Sequence, residues 1–359
     1  MQNYHVGIDL HSTNCYIGMV DQDGKRILSK KVLNKLSDIV ATLNPFKEKV
    51  KDIAVESTFN WYWLVDGLME EGYLLHLANV PAMKQYEGLK HTDDKSDAFW
   101  LAEMLRLKIL PTGHIYPKEK RPMRDLLRRR LQLVHHRTAL SMSMSSMIQN
   151  CTSVNLSRYE KKNLTHHKIT SLLDHPYQVM SADTIHNVIV EINENIDKIE
   201  KEIHSKVKLT QRYRKLTSVW GIGEILATTI MLETGDIRRF KDVGNYASYC
   251  RCVPTVRLSN GKTKGRGNKK CGNQYLAWAY LEAAYCMQRA YPEAKKWFQR
   301  KLNKKGRFVA IKALSSKIAR ACYLIMKNNT TFVPSKLFAW CPVGSVNRAC
   351  GLDHSSPLD

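Results

Sequence analysis

Four carboxylates in the first hundred residues have types and spacings that could hold divalent metal ions. Asp9 lies near the end of the apolar run YHVGIDL, and Glu56 lies near the end of the strand-like segment DIAVES. Asp94 and Asp97 are three residues apart at the start of a predicted helix, so both can face the same side. Like charges about 4 Å apart repel by roughly 4 kcal/mol at an effective dielectric near 20, so such a cluster needs cations to stay ionised.

Mg²⁺ is the cation that this donor set predicts. It prefers hard oxygen ligands and keeps several of its waters, and two such ions can bind the attacking and leaving oxygens of a phosphodiester. We therefore expect two Mg²⁺ ions per site, held by Asp9, Glu56, Asp94 and Asp97. Asp93 competes with Asp94 on spacing, and Asp94 is preferred because it forms a D-x-x-D pair with Asp97. The alternatives are a solvated Asp9 and an aspartate that only interacts with the positive end of the helix dipole.

A second candidate region is the basic segment RLSNGKTKGRGNKKCGN at residues 257–273. It holds six Lys or Arg and four Gly, so it cannot form a core, and we expect a flexible loop. Phosphate contact is the simplest interpretation of its cations, which include Lys262, Lys264, Arg266, Lys269 and Lys270. On composition alone, Ser259 is more readily a phosphate-contacting residue of this loop than a nucleophile.

The stretch Gly221-Ile222-Gly223 joins two segments with helical apolar periodicity, a helix-hairpin-helix pattern. Gly221 and Gly223 would let the backbone approach a phosphate, and the following helix would offer its first N–H groups. Trp220 stands where this pattern usually has proline. A plain pair of packed helices is the alternative.

The middle of the chain is predicted to be helical. A long basic helix from Lys118 to about Asn150 includes Arg128, Arg129 and Arg130 as candidate nucleic-acid contacts, although most charge runs are merely solvated faces. Isoleucines then recur at spacings of four and three, which is typical of a coiled-coil seam, at positions 185, 189, 192, 196, 199 and 203. This helix needs a partner, either the basic helix of the same chain or a second subunit.

The acidic residues need a scaffold, and the first hundred residues predict one of alternating strands and helices. Residues 4–10, 13–20 and 26–33 suit a pleated surface and are joined by short turns. A helix capped by Ser37, a strand from Asp52, and then helix, strand and helix follow. Three strands followed by alternating α/β elements is the order of an RNase H-like domain.

The expected fold class is therefore α/β plus all-α. An RNase H-like (RuvC-like) domain at 1–115 precedes a basic helical and coiled-coil region at 116–214. A mostly helical C-terminal domain with a helix-hairpin-helix follows at 215–330, and residues 331–359 are expected to be irregular. A chain of 359 residues has room for two or more such domains.

Charge divides the chain into an acidic and a basic part. Residues 1–115 hold 13 Lys or Arg against 15 Asp or Glu, a net of −2, so within the total of +23 the remainder carries +25. This contrast suits a carboxylate-bearing domain joined to a body that binds a polyanion, with nucleic acid the leading partner. No apolar run approaches the roughly 20 residues that span a bilayer. The nine cysteines follow no metal-ligand spacing, which suggests reduced thiols in a cytoplasm.

These motifs resemble a known family. GIDLHS around Asp9, VEST around Glu56 and DDKSDAFWLAEML around Asp94 and Asp97 resemble the DEDD motif of the Piv/MooV-type transposases, the insertion-sequence one-ten family. GIGEILATTIMLETGDIRRF and SNGKTKGRGNKKCGNQYLAWA continue the resemblance in the family's order. It therefore covers residues 4–110 and 215–290, approximately.

The resemblance implies a DNA transposase or recombinase with a RuvC-like N-terminal domain and a C-terminal serine transposase domain. It implies that the four carboxylates bind Mg²⁺ and that Ser259 attacks DNA. It also implies donor and target DNA, a bridge-type guide RNA encoded by the element's non-coding end, and a composite site within a homo-oligomer, a dimer or tetramer. The expected location is the bacterial cytoplasm, at the nucleoid. A phosphoserine link would conserve the phosphodiester energy during strand exchange.

Two other functions fit the same residues. A RuvC-like hydrolytic nuclease would need only the carboxylates, with Ser259 as a phosphate contact. A non-catalytic nucleic-acid-binding protein would carry the acidic residues as surface features. The products separate the three functions. A transposase would form covalent protein–DNA adducts, a nuclease would release free cleaved ends, and a binding protein would leave the bound DNA intact.

Overall fold

The computed structural model describes residues 3–83, 93–207, 210–253, 256–260, 262–266 and 271–338. The chain divides into two compact units. The first comprises Met1–Lys118 and Arg257–Cys271, and the second comprises Glu119–Val256 and Gly272–Asp359. Of the predicted nucleic-acid contacts, Lys269 and Lys270 lie outside the described residues.

The N-terminal part of the first unit is a mixed α/β region. Its elements are β1 (Tyr4–Leu10), β2 (Asn14–Val20), β3 (Arg26–Leu33), α1 (Leu36–Leu43), β4 (Val50–Glu56), α2 (Tyr62–Glu70), β5 (Leu75–Ala78), α3 (Val80–Met83), α4 (Asp94–Arg106) and β6 (Thr112–Gly113). The strands form one sheet in the order β3-β2-β1-β4-β5-β6. β1 is antiparallel to β2 and parallel to β4, and β4 is parallel to β5. This topology is consistent with the RNase H-like expectation.

Strand β1 is buried along its whole length because elements cover both faces of the sheet. Val6, Ile8 and Leu10 belong to an apolar core that α1 and α2 complete. Side chains alternate along a strand, so Gly7 and Asp9 point to the opposite face. That face is covered by α4.

The second unit is mostly helical. Its helices are α5 (Arg121–Thr152), α6 (Arg158–Lys162), α7 (His166–Leu172), α8 (Pro176–Val207), α9 (Gln211–Thr217), α10 (Glu224–Thr234), α11 (Val243–Tyr249), α12 (Gln274–Ala290), α13 (Pro292–Lys305), α14 (Arg307–Asn328) and α15 (Pro334–Phe338). Between α11 and α12 the chain forms a two-stranded sheet of β7 (Val256–Ser259) and β8 (Lys262–Arg266). Among the described residues, no helix has the length and apolar character needed to cross a bilayer.

Helices α5 and α8 pack along each other, so the isoleucine seam has a partner within its own chain. Ile196 and Ile203 are buried, whereas Ile192 is only half-buried. Arg137 of α5 donates a hydrogen bond to Asn193 of α8 at 2.8 Å. This packing leaves part of the seam accessible, so a second subunit is still open as a further partner.

The structure differs from the sequence-based predictions in three places. Ser37 does not cap α1, whose N-cap is Lys35, and the Ser37 hydroxyl instead donates to Asp38. The segment expected to be a flexible loop contains most of β7 and all of β8, and Asn260 follows β7 at a φ of 50°. In a sequence, Asn-Gly is a strong signal for a hairpin turn. Finally, α15 lies in the tail that was expected to be irregular.

Candidate metal centre

Asp9 lies near the C-terminal end of β1, beside the end of β4. The register of these parallel strands pairs Gly7 with Ala54 and Ile8 with Val55. One further step of that register places Asp9 opposite Glu56, with both side chains on the face that α4 covers. Asp9 is buried, with only 2% of its surface exposed, and Glu56 is half-buried.

Two glycines allow α4 to approach the sheet closely. Gly7 and Gly18 face each other across β1 and β2. A Cβ atom at Gly7 would lie 2.0 Å from the carbonyl oxygen of Ala98, and one at Gly18 would lie 3.0 Å from the backbone nitrogen of Phe99. Because any side chain at Gly7 would push the helix away, this glycine sets how near the first turn of α4 comes to Asp9.

The neighbouring residues Asp93 and Asp94 have different roles. Asp93 is the N-cap of α4, and its carboxylate accepts a hydrogen bond from the Ser96 N–H at 2.7 Å. Asp94 is the first residue of the helix and comes close to Asp9. This arrangement supports Asp94, rather than Asp93, as the candidate ligand. Asp97 follows one turn later, and that spacing puts it on the same side of α4.

His11 is the functional candidate that sequence reasoning missed. Its Nε2 lies 3.2 Å from Asp9 Oδ2 and 3.3 Å from Asp94 Oδ1. The ligand atoms of Asp9, His11 and Asp94 all lie within 4.8 Å of one another. The available signal was its position two residues after Asp9 in GIDLHS, but only the approach of α4 makes that position part of a site.

The donor set of this group fits a divalent metal ion. Asp9 Oδ2 and His11 Nε2 are both buried and make no hydrogen bond with the described residues. Carboxylate oxygens suit Mg²⁺ and Mn²⁺, and an imidazole nitrogen adds affinity for transition metals. Of the four predicted carboxylates, Asp9 and Asp94 fall within this close group, while Glu56 and Asp97 lie on the same face without being part of it.

Cys15 lies on β2 near the site, paired with Leu10 of β1. Burial first, and the charge of Asp9 second, raise the pKa of the Cys15 thiol to about 12. The thiol is therefore protonated at neutral pH and offers neither a nucleophile nor a thiolate ligand.

Ser259 is the last residue of β7 and directly precedes the turn at Asn260. Residues 257–271 belong to the same compact unit as the sheet that carries Asp9. Lys262 is exposed at the start of β8, and Lys264 and Arg266 follow it on that strand.

The three consecutive arginines of α5 have different environments. Arg128 donates two hydrogen bonds, of 2.6 and 2.7 Å, to the carboxylate of Glu233, which is 2% exposed. Arg130 pairs with Glu200 of α8 at 2.6 Å. Arg129 is exposed, and its side-chain hydrogen bond with the described residues goes to the neutral Gln132. The charges of Arg128 and Arg130 are thus already neutralised within the protein, and Arg129 is the one of the three best placed to meet an external anion.

The two glycines between α9 and α10 also have different environments. Gly221 has a φ of 85°, and a Cβ there would lie 2.5 Å from the carbonyl oxygen of Ala283, so close packing against α12 requires it. Gly223 is the N-cap of α10, and a Cβ there would meet nothing within 4 Å. Glu224 opens α10 and forms an ion pair with His204. A carboxylate therefore stands where a phosphate was expected to bind.

Two segments of the chain match models of known protein families. Residues 6–152 match the IS110-type DEDD model, described as a transposase. Residues 213–299 match the model described as the IS116/IS110/IS902 transposase family. The first match contains the four carboxylates and His11, and the second contains Ser259.

Curated relatives span nearly the same length. The transposase for insertion sequence element IS1328 of Yersinia enterocolitica is 21% identical over 91% of this chain and 98% of the relative. The transposase for insertion sequence element IS1111A of Coxiella burnetii is 22% identical over 91% of this chain and 90% of the relative. A probable family 20 transposase of Pseudomonas aeruginosa is 22% identical over 79% of this chain and 86% of the relative.

Proposed function

Because the chain belongs to the IS110 family of DNA transposases, we propose that it cuts and rejoins DNA through a metal-bound carboxylate site and the hydroxyl of Ser259. The observation that carries this proposal is the convergence of the buried Asp9 and the exposed Asp94, from separate elements, on one group of possible metal ligands. The strand order of the sheet supports an RNase H-like fold for the domain that holds it.

Asp9, Glu56, Asp94 and Asp97 would hold the metal, taken here as two Mg²⁺ ions, and His11 is close enough to contribute a nitrogen. Bound divalent ions supply charge neutralisation at the attacking and leaving oxygens of the phosphodiester. The chain supplies the positions of its donors. Asp9 is fixed in the middle of the sheet, and Asp94 is fixed by the close packing of α4 on Gly7.

Ser259 would be the nucleophile. Its oxygen forms a bond to the DNA phosphorus, the bond from phosphorus to one strand oxygen breaks, and that oxygen leaves as a hydroxyl with the proton that serine gives up. The reverse reaction with a different strand hydroxyl rejoins the DNA. Because each step exchanges one phosphodiester for another, no outside energy source is needed.

The basic part of the chain would hold the DNA and a guide RNA that pairs with donor and target. Arg129 and Lys262 are exposed cations that support this role, and Lys264, Arg266, Lys269 and Lys270 extend it along the sequence. A homo-oligomer, a dimer or tetramer, would bring two DNA strands together for exchange, and α8 retains a partly accessible seam for that assembly.

Incubation of the full chain with nicked and branched DNA in Mg²⁺ tests the proposal. Wild type should form a covalent protein–DNA adduct, Asp9→Asn should form none while still binding DNA, and Ser259→Ala should lose the adduct. Asp23→Asn, in an exposed turn of the same unit, and Ser205→Ala, exposed on α8, are the matched controls. A nucleotide attached to any other residue in the mass spectrum of the trapped complex would exclude Ser259.

A hydrolytic nuclease is the second candidate, because the Asp9, His11 and Asp94 group would suffice for metal-dependent hydrolysis without a serine. That function predicts free cleaved ends, no adduct, and near-normal cleavage by Ser259→Ala.

A further inference from the structure

Helix α13 and the corner that joins it to α14 form a strongly basic helical surface of the second unit, none of whose residues has been named above as a nucleic-acid contact. Residues 292–307 contain seven Lys or Arg and a single acid, Glu293. Ala294 and Phe298 are buried in the apolar core of the unit, so the orientation of the helix is fixed.

The cations follow one another along the outside of α13. Lys296, Arg300 and Lys304 recur at a spacing of four residues, and all three are exposed. Residues four apart lie on the same side of a helix, about 6 Å from one another along its axis. Arg307, the first residue of α14, is a further exposed cation three residues after Lys304.

These cations have no counter-ion within the part of the chain that the structure describes. Among the described residues, Lys296, Arg300, Lys304 and Arg307 form no ion pair. Some other cations of the same unit are paired, as Lys206 is with Glu202 on α8. Like charges four apart destabilise a helix, so this arrangement carries a cost that an external polyanion would remove.

An exposed aromatic side chain completes the surface. Phe308, in the first turn of α14, is 84% exposed, and the neighbouring Val309 is 50% exposed. Gly306 joins the helices at a φ of 80°, and the first turn of α14 contains no acid. Among the described residues Phe308 belongs to no apolar core, and Arg307 directly precedes it in the sequence, so the folding of this chain explains its exposed ring poorly.

We propose that α13 and the first turn of α14 bind a single-stranded segment of nucleic acid. Lys296, Arg300, Lys304 and Arg307 contact successive phosphates, and Phe308 stacks on an unpaired base. Cationic grooves with aromatic platforms are the usual means of binding single strands, because every base has an aromatic face. A duplex would satisfy the cations but would offer Phe308 no free base. The inference rests on the proposed function only in taking nucleic acid as the polyanion.

The first experiment measures the salt dependence of binding. Full-length protein carrying Lys296→Gln, Arg300→Gln and Lys304→Gln is titrated with a fluorescent 20-nucleotide single strand at several salt concentrations. Its slope of log affinity against log salt should fall by about 2 relative to wild type, since each lost single-strand phosphate contact removes about 0.7. Lys198→Gln, Lys201→Gln and Lys206→Gln on exposed positions of α8 make the same change in net charge as a control. Equal slopes in the two triple variants would overturn the proposal.

The second experiment tests the aromatic contact. Phe308→Ala should weaken binding to the single strand roughly 5- to 150-fold, while binding to a duplex of the same length changes little. Phe308→Trp should retain affinity and Phe308→Leu should not, because stacking needs a ring and not only apolar area. Tyr159→Ala, at a residue that is 77% exposed on α6, is the control. An equal loss on single strand and duplex, or a full rescue by leucine, would overturn the stacking assignment.

Parallel titrations with DNA and RNA of the same sequence identify the strand. If the triple variant and Phe308→Ala lose affinity for DNA alone, the surface binds the displaced or nicked DNA. If they lose affinity for RNA alone, it binds the guide. If they lose affinity for neither strand, the proposal is overturned. These measurements need no cleavage and can be made in the Asp9→Asn background. Failure of this surface would leave DNA cleavage intact, whereas failure of the proposed function would remove the covalent adduct.

Discussion

Gly7 on β1 and Ala98 on α4 lie so close that a Cβ atom on Gly7 would come within 2.0 Å of the Ala98 carbonyl oxygen. The same helix begins with Asp94, and the same strand ends beside Asp9, so this contact sets the distance between two candidate ligands. Gly7→Ala should therefore lower the free energy of unfolding by about 1–3 kcal/mol and weaken metal binding, although it touches no ligand.

Gly113→Ala is the control for that variant. A Cβ at Gly113 would meet only ordinary contacts, the nearest at 3.5 Å. Urea unfolding and titration with Mn²⁺ measure the two effects. Normal metal affinity in a destabilised but folded Gly7→Ala protein would show that the site does not depend on the packing distance of α4.

His11 offers a test of the donor set. Since an imidazole nitrogen favours Mn²⁺ over Mg²⁺, His11→Ala should reduce Mn²⁺ affinity at least about 10-fold and Mg²⁺ affinity less. Isothermal titration with each ion measures this without any reaction. His114→Ala, an exposed histidine of the same unit, is the control. Unchanged affinity for both ions would mean that His11 only neighbours the carboxylates.

Much of the scaffold followed from local sequence patterns. The run YHVGIDL is apolar throughout, as a central strand covered on both faces must be, and β1 has the bounds Tyr4–Leu10 that the pattern predicted. The first three strands and the start of α4 were likewise recognisable. The sequence placed Asp9 and Glu56 only near the ends of their own strands, and the parallel register of β1 and β4 is what brings them to the same edge of the sheet.

The remainder depended on contacts that no local pattern encodes. His11 lies close to Asp94 only because Gly7 lets α4 pack tightly against the sheet. Arg128 belongs to a basic run in sequence, yet Glu233, more than a hundred residues away, neutralises it. The high charge of RLSNGKTKGRGNKKCGN led to the prediction of a loop. The Asn260-Gly261 pair in the same segment is a hairpin signal that would have predicted strands β7 and β8.

The arginines of α5 give a paired prediction. Arg128→Met should lower the free energy of unfolding by about 3–5 kcal/mol, because it leaves the buried Glu233 carboxylate without its cation. Arg129→Met should change the free energy of unfolding by less than about 0.5 kcal/mol. It should reduce the slope of log DNA affinity against log salt concentration by about one. Urea unfolding and salt titrations measure both variants. The reverse pattern would make Arg128 the nucleic-acid contact.

Thiol labelling tests the burial around the site. Cys151 is exposed, whereas burial raises the pKa values of the Cys15 and Cys322 thiols to about 12. At pH 8 iodoacetamide should therefore modify Cys151 readily and leave Cys15 and Cys322 unreacted until the protein unfolds. Peptide mass spectrometry after timed labelling measures the rates. Rapid labelling of Cys15 in the folded protein would mean that β2 opens near Asp9.

The last prediction concerns how the carboxylates and the serine meet. Within one chain, the strand carrying Ser259 belongs to the same compact unit as Asp9, while the family resemblance implies a site shared between subunits. We expect that Asp9→Ala and Ser259→Ala proteins, each inactive alone, recover part of the activity when mixed, because an intact carboxylate group can meet an intact serine across an interface.

Ile192 is the residue to perturb, since it is half-buried on α8, while Ile196 and Ile203 are buried within the subunit. Ile192→Asp in both proteins should lower assembly and rescue together, as a charge is costly to bury in an apolar seam. Lys198→Gln, exposed on the same helix, should alter neither. If two folded, DNA-bound variants show no rescue at any mixing ratio, each subunit builds its own site and α8 serves only to pack against α5.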